Sequence, residues 1–343
     1  LLRGLLSIDA DVQVFAPIWD TLFPKGKLWP GDQKYLDATI NQTLISYTNL
    51  PLCRTASVGM SVAKAIKKRL DTGERPLAVL TYNTYPHYVK AMEIVKHRFP
   101  EVPWVNVILD MDDPIQDDWQ AFNVSTRHSD GCVFLSWWGF ENAPFDKKLH
   151  LDGGCDEFVE CDSAGSIEKK FVYAGKYVGY GGITDILNAI KSTENPNLRF
   201  EFFGKERCEA LENLAAIDSR IRIRGFVEEC ELESACRNAH AFLAPREIAF
   251  QGTRMIFPSK ILFFLKFGKP IISPLLPGMS PEYASLLISP SDSTATSWSS
   301  SINHVAQMKS CDLETIATRI RIFLNRRTWQ SQSNRLLDFI KAL

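Results

Sequence analysis

Short runs of β-branched and aromatic residues alternate with stretches of helical periodicity along the whole chain. This alternation predicts parallel sheets built from crossover units. A strand buried on both faces reads as a continuous apolar run, whereas its covering helix is apolar along one stripe only. In the first half the pattern predicts strands over residues 12–16, 77–82, 104–109 and 132–136, with helices over 58–70 and 88–98. The second half predicts strands over 171–174, 198–203, 221–227, 241–244, 270–273 and 286–288. Between them, residues 151–166 lapse into Gly, Asp, Ser and Cys without periodicity and read as a connection. The expected boundary lies near residue 164, giving an N-terminal domain over 1–164 and a C-terminal domain over 165–324. Residues 325–343 read as an amphipathic helix, with Trp329, Leu336, Leu337 and Ile340 available to pack back onto the first domain. The expected fold class is α/β, with two Rossmann-like doubly wound domains facing across a cleft. In such sheets ligands bind beyond the carboxyl ends of the strands.

Composition supports two ordinary globular domains. The chain has 343 residues, 45% hydrophobic and 23% charged, and a net charge of -1. Nothing global therefore draws it to nucleic acid or an anionic membrane, and its partners must be sought in local sites. Eight cysteines are scattered without a C-x-x-C pair, which argues against a metal or redox site and for reduced thiols in the cytoplasm. No apolar run reaches the roughly 18 to 20 residues needed to span a bilayer. The chain opens in what reads as the last turns of a helix, so a strand and glycine loop are expected upstream.

Two loops in the second half carry candidate chemistry. After its first strand come Gly175, Lys176, Gly181 and Gly182, leading into a helix over 184–190. Glycines let backbone N–H groups approach an anion, and Lys176 adds positive charge, so the loop reads either as a phosphate site or as an ordinary strand-to-helix turn. The second cluster is Pro245-Arg246, an irregular stretch, then Pro258-Ser259-Lys260 opening an apolar helix that stops at Gly268. Ser259 is expected to cap that helix, and Arg246 with Lys260 suits a diphosphate, since a guanidinium binds phosphate oxygens in bidentate fashion. The same helix carries Phe263, Phe264 and Phe267 with Lys260, Lys266 and Lys269. It reads as a core helix in preference to an interfacial membrane helix.

These segments together resemble a known family. The series Phe171-Val172-Tyr173-Ala174-Gly175, Phe202-Phe203-Gly204, Ile223-Arg224-Gly225-Phe226-Val227, Pro258-Ser259-Lys260 and Phe267-Gly268-Lys269-Pro270 resembles the donor domain of family-4-type glycosyltransferases of the GT-B fold. In the first half, Phe134-Leu135-Ser136-Trp137-Trp138 and the segment from Lys148 to Gly154 are similar to bacterial surface-polysaccharide members. The resemblance implies a nucleotide-diphosphate sugar donor, retention of anomeric configuration, and no obligatory metal or other cofactor. It implies that the loop carrying Lys176 and the segment of Ser259 and Lys260 hold the diphosphate, with Gly181 standing where the family has a second cation. Many members also carry a Glu pair, the second binding ribose hydroxyls. Here Met255 and Phe263 occupy those positions, leaving Glu247 as the candidate for the ribose.

On the acceptor side, Asp110, Asp112 and Asp113 follow a predicted strand and are candidates to orient or deprotonate an acceptor hydroxyl. A divalent-cation site and a simple turn before Pro114 are the other readings. The turn from Tyr82 to His87 offers Tyr and Asn to sugar rings and hydroxyls, with His87 as a polar acceptor-site group. The expected activity is transfer of a sugar from a nucleotide sugar to a saccharide or lipid-linked acceptor, with possible peripheral contact at the inner face of the membrane and no nucleic acid partner. A catalytically silent GT-B protein used for binding or assembly is the principal alternative, and a nucleotide-sugar epimerase of the same fold is a third.

Overall fold

The computed structural model describes residues 1–30, 40–109, 111, 114, 118–155, 158–160, 168–177, 182–246 and 252–343. The chain forms two compact units: Leu1–Asp152 with Met255–Phe257 and Trp329–Leu343, and Gly153–Arg254 with Pro258–Thr328. The boundary expected at residue 164 falls among residues outside those described.

The first unit begins with α1 (Leu2–Leu6), β1 (Gln13–Pro17), β2 (Asn41–Ile45), α2 (Arg54–Asp71), β3 (Val79–Tyr82), α3 (Pro86–Arg98) and β4 (Trp104–Ile108). It continues with α4 (Gln120–Thr126), β5 (Gly131–Phe134), α5 (Trp137–Asn142) and β6 (Lys148–His150). Strands β3-β4-β5-β6 form a parallel sheet in chain order, and β1 pairs in parallel with β2. The central strands β4 and β5 are buried at every position, which is why they read as apolar runs interrupted only by Asn106. One polar thread crosses this interior: Trp104 Nε1–H donates to Thr81 Oγ1 (2.9 Å), whose hydroxyl donates to Asn106 Oδ1 (2.6 Å). Pairing makes the thread affordable, because an unmatched buried polar group costs several times what a matched one contributes.

In the second unit the order is β7 (Lys169–Ala174), α6 (Ile183–Lys191), β8 (Leu198–Phe203), α7 (Glu209–Ile217), β9 (Ile221–Gly225), α8 (Glu229–Arg237) and β10 (Ala241–Leu243). Then come α9 (Lys260–Leu265), β11 (Ile271–Ile272), β12 (Leu287–Ile288), α10 (Ala295–Ala306) and α11 (Ser310–Asn325). Its parallel sheet runs β12-β11-β10-β7-β8-β9. From β7 the chain builds outward to β8 and β9, then returns to the other side of β7 for β10, β11 and β12. The loops after β7 and β10 therefore lie side by side at the topological switch point, where doubly wound sheets open a crevice. Phe171, Tyr173, Phe200 and Phe202 pack with α6, α7 and α10 on one face. On the other, Phe242 stacks on Phe264 of α9 with ring centroids 4.4 Å apart.

Two local expectations change. The helix expected over 325–343 begins at Trp329. Residues Arg326 to Thr328 interrupt the pattern, with Thr328 bridged to Cys155, and α12 (Trp329–Lys341) follows. This helix lies in the first unit. There Leu336 and Ile340 pack on Val105, Val107 and Val133, while Arg335 Nη2 donates to the carbonyl of His150 (3.0 Å). The helix after Pro258 is a core helix, with Ile261, Phe264 and Leu265 fully buried, but Ser259 makes no capping hydrogen bond through its side chain. Its backbone is already helical at φ -52°, which turns the hydroxyl away from the capping geometry. Gly268 ends the segment at φ +64°, a conformation that glycine adopts without steric cost.

Candidate functional site

In the second unit the switch point gathers Gly175, Gly182, Arg246 and Lys260. Gly175 has φ +150°, and a Cβ built there would lie 2.5 Å from Lys260 Nζ. The bare backbone of Gly175 thus makes room for the ammonium, which also sits 5.1 Å from the ring centroid of Tyr173. Gly182 has φ +65° and opens α6; a Cβ there would come within 3.0 Å of Arg246 N. Here too the absence of a side chain permits the two loops to touch. Tyr173 carries its hydroxyl to the carbonyl of Lys176, folding the turn back on the strand end. Burial pushes the Tyr173 phenol up, so it stays a neutral donor.

The electrostatics of this corner are those of an anion site. Burial lowers the Lys260 ammonium to about 8, and the neighbouring Arg246 guanidinium adds repulsion. Desolvation and a like charge both disfavour the charged form, and an anion between the two cations would relieve both. Phosphate oxygens would find two positive groups and the amides of a glycine turn in one place.

Other sequence candidates are placed differently. Lys176 has an exposed side chain, and its carbonyl accepts the Tyr173 hydroxyl. Ser259 is exposed beside Lys260. Gly181 and Glu247 lie outside the described residues, as do Asp110 and Asp112. Met255 is buried against Gly139 in the first unit. Phe263 packs on Phe264 and Phe267 with the Lys266 ammonium 4.5 Å from its ring centroid, so that position presents a ring and not a carboxylate.

In the first unit His87 is buried, its Nε2 has no hydrogen-bond partner among the described residues, and burial with the nearby Arg54 cation lowers its pKa. Its imidazole is therefore neutral at physiological pH. Asn83, at φ +54°, is buried, accepts the Leu109 N–H (2.7 Å) and donates to Tyr85 Oη (3.4 Å), so its amide holds the turn together. Sequence reading missed Trp19 and Arg54, which lie beside His87, and Tyr47, which shares the Trp19 ring. The available signal was that Trp19 lies just past the predicted strand at residues 12–16. Among the described residues no group of three His, Cys, Asp or Glu is arranged to hold a metal ion, and no helix is long and apolar enough to cross a membrane.

Two Rossmann-like units, the second with its glycine turn at a switch point, define the architecture of the GT-B glycosyltransferases. Solved structures of that class match over nearly the whole chain. HepE of Anabaena, solved with UDP and glucose, aligns with TM-score 0.63 at 13% identity, covering 89% of this chain and 87% of HepE. The lipopolysaccharide outer core galactosyltransferase WaaB in its apo form gives 0.65 at 14%, covering 96% and 99%. Sucrose-phosphate synthase of Thermosynechococcus elongatus gives 0.68 at 12%, covering 99% and 90%. No protein-family model matches the sequence, and no curated protein matches it.

Proposed function

We propose that this chain is a glycosyltransferase that transfers a sugar, with retention of anomeric configuration, from a nucleotide-diphosphate sugar to a saccharide or lipid-linked acceptor. The observation that carries the reading is the seating of the Lys260 ammonium against the bare backbone of Gly175, beside Arg246. Such preorganised cations stabilise a departing diphosphate because their charge is already in place when negative charge develops on the leaving group. In this reading Gly175, Lys176, Gly181, Gly182, Arg246, Ser259 and Lys260 contact the diphosphate and Glu247 the ribose. The cations take the part of a metal ion. Asp110, Asp112 and His87 act on the acceptor side, as a base or as groups that orient the hydroxyl. Surface-polysaccharide synthesis at the cytoplasmic side of a membrane is the setting that the resemblance in sequence supports, and WaaB, a lipopolysaccharide outer core galactosyltransferase, is compatible with it.

The test is calorimetric titration of UDP, GDP and ADP, starting with UDP because HepE was solved with it. Micromolar binding of one nucleotide, lost in Lys260→Ala and insensitive to EDTA, supports the reading; no binding by a folded chain overturns it. A second reading, a catalytically silent GT-B protein, is favoured by the ring of Phe263 where the family places a carboxylate. Tight nucleotide binding without sugar transfer or donor hydrolysis would favour it.

A further inference from the structure

Beyond the carboxyl ends of β1, β2 and β3, in the first unit and independent of the donor corner, lies a cluster of buried polar groups without partners among the described residues. The Tyr47 hydroxyl, the Arg54 Nε and the His87 Nε2 are all buried and have no hydrogen-bond partner among the described residues. Tyr47 and His87 as whole residues are only 3% and 8% exposed. All three border one indole: Trp19 lies 6.0 Å from the Tyr47 ring, 5.1 Å from the His87 ring and 4.6 Å from the Arg54 guanidinium. Tyr85 stacks on His87 at 5.6 Å and 17°. Trp19 and Tyr85 are about half exposed, so the cluster reaches solvent through aromatic walls.

The charge balance here is one-sided. Among the described residues, the hydrogen bond that Arg54 makes runs from Nη2 to the Asp20 carbonyl (3.1 Å). The carboxylate of Asp20 does not neutralise it, since it accepts the N–H groups of Thr21 (2.7 Å) and Lys27 (2.9 Å) in its own loop. A guanidinium with unused donors, beside a phenol and an imidazole that each lack a partner, is an incomplete anion site. Three unmatched buried polar atoms at one place are a cost that a packed core would not retain without a ligand or water.

We propose that Trp19, Tyr47, Arg54 and His87 form a subsite for an anionic group, phosphate or carboxylate, carried by a saccharide, with the exposed rings of Trp19 and Tyr85 lying against the sugar. The guanidinium takes the anion in bidentate fashion and the Tyr47 hydroxyl adds a third bond, while aromatic faces suit the C–H surface of a pyranose. That this saccharide is the acceptor rests on the transferase reading; that it binds does not.

The test is calorimetric titration of the whole chain with glucose 6-phosphate, glucuronate, glucose and inorganic phosphate, with UDP titrated into the same samples. One of the two acidic sugars is expected to bind at least ten-fold more tightly than either glucose or inorganic phosphate, and which one it is distinguishes phosphate from carboxylate. Arg54→Gln and Tyr47→Phe should each weaken that binding ten-fold or more and leave UDP affinity unchanged. The Tyr47→Phe variant keeps the ring and deletes one hydroxyl, so it remains informative if Arg54→Gln fails to fold. Equal binding of glucose, equal binding of inorganic phosphate, no binding of any sugar, or unchanged affinity in Tyr47→Phe would each overturn the proposal. Acidic-sugar binding by a chain that ignores every nucleotide would sink the donor reading alone.

Discussion

The Lys260 ammonium occupies the space that a side chain at Gly175 would need: a Cβ on Gly175 would lie 2.5 Å from Lys260 Nζ. The two residues are brought together because β7 ends beside α9's first turn, and only glycine leaves the ammonium its place. The Gly175→Ala change therefore acts on the cation before it acts on the fold. A lysine end can swing aside, so the strain at φ +150° is the main cost to stability, about 1 kcal/mol or somewhat more. Nucleotide affinity is expected to fall ten-fold or more by titration calorimetry. Unchanged affinity would remove Lys260 from the proposed diphosphate site.

Lys260 costs the fold stability at neutral pH. Its folded pKa of about 8 lies below the ordinary 10.5, so the folded state binds the proton less tightly than the unfolded chain. The penalty is complete below pH 8, shrinks as pH rises from 8 towards 10.5, and is gone above that. Lys260→Met should raise the unfolding free energy at pH 7 by about 1 to 3 kcal/mol, after allowance for partial solvation, and abolish nucleotide binding. Urea denaturation at pH 7 and pH 10 tests this; an advantage that persists undiminished at pH 10 would assign the gain to packing.

The same depressed pKa predicts proton uptake on binding. An anion between Lys260 and Arg246 raises the ammonium's pKa, so at pH 8, near its free value, binding of UDP should take up a fraction of a proton. Affinity should then decline as pH rises above 8. Titrations in buffers of differing ionisation enthalpy measure the uptake directly; a heat independent of buffer at pH 8 contradicts it.

In the first unit, Leu336 of α12 is fully buried against Val105, Val107 and Val133. Leu336→Ala should cost about 2 to 5 kcal/mol by urea denaturation, and Leu336→Met less than about 1.5 kcal/mol, because the thioether refills most of the volume. Equal costs for the two would mean that the site collapses around the smaller side chain.

Element existence was legible wherever burial is two-sided. The strands Trp104–Ile108, Lys169–Ala174 and Leu198–Phe203 announce themselves because apolar residues fill most of their buried positions. By contrast Asn41–Ile45 is buried only at Ile45, so its polar residues hide a strand whose evidence is its pairing with Gln13–Pro17. The helix boundary at Trp329 escaped for a different reason. Residues Arg326 to Thr328 continue a helical pattern, and the break depends on a bridge to Cys155 far away in sequence. Ser259 misled because residue type favours a cap, while the backbone at that position had already turned helical.

By itself the sequence determined the two α/β domains and the cationic residues of the donor corner, because strand burial and glycine turns are local properties written in composition and spacing. The tertiary structure decided which of those residues meet. Gly182 touches Arg246, and Lys260 fills the space beside Gly175, because the sheet reverses direction at β7 and lays distant loops together. It also decided that Trp19, Tyr47, Arg54 and His87 share one indole. Parallel pairing of β1 with β2 sets Trp19 beside Tyr47, and packing of α2 against α3 brings in Arg54 and His87; neither contact carries a signal in any single segment.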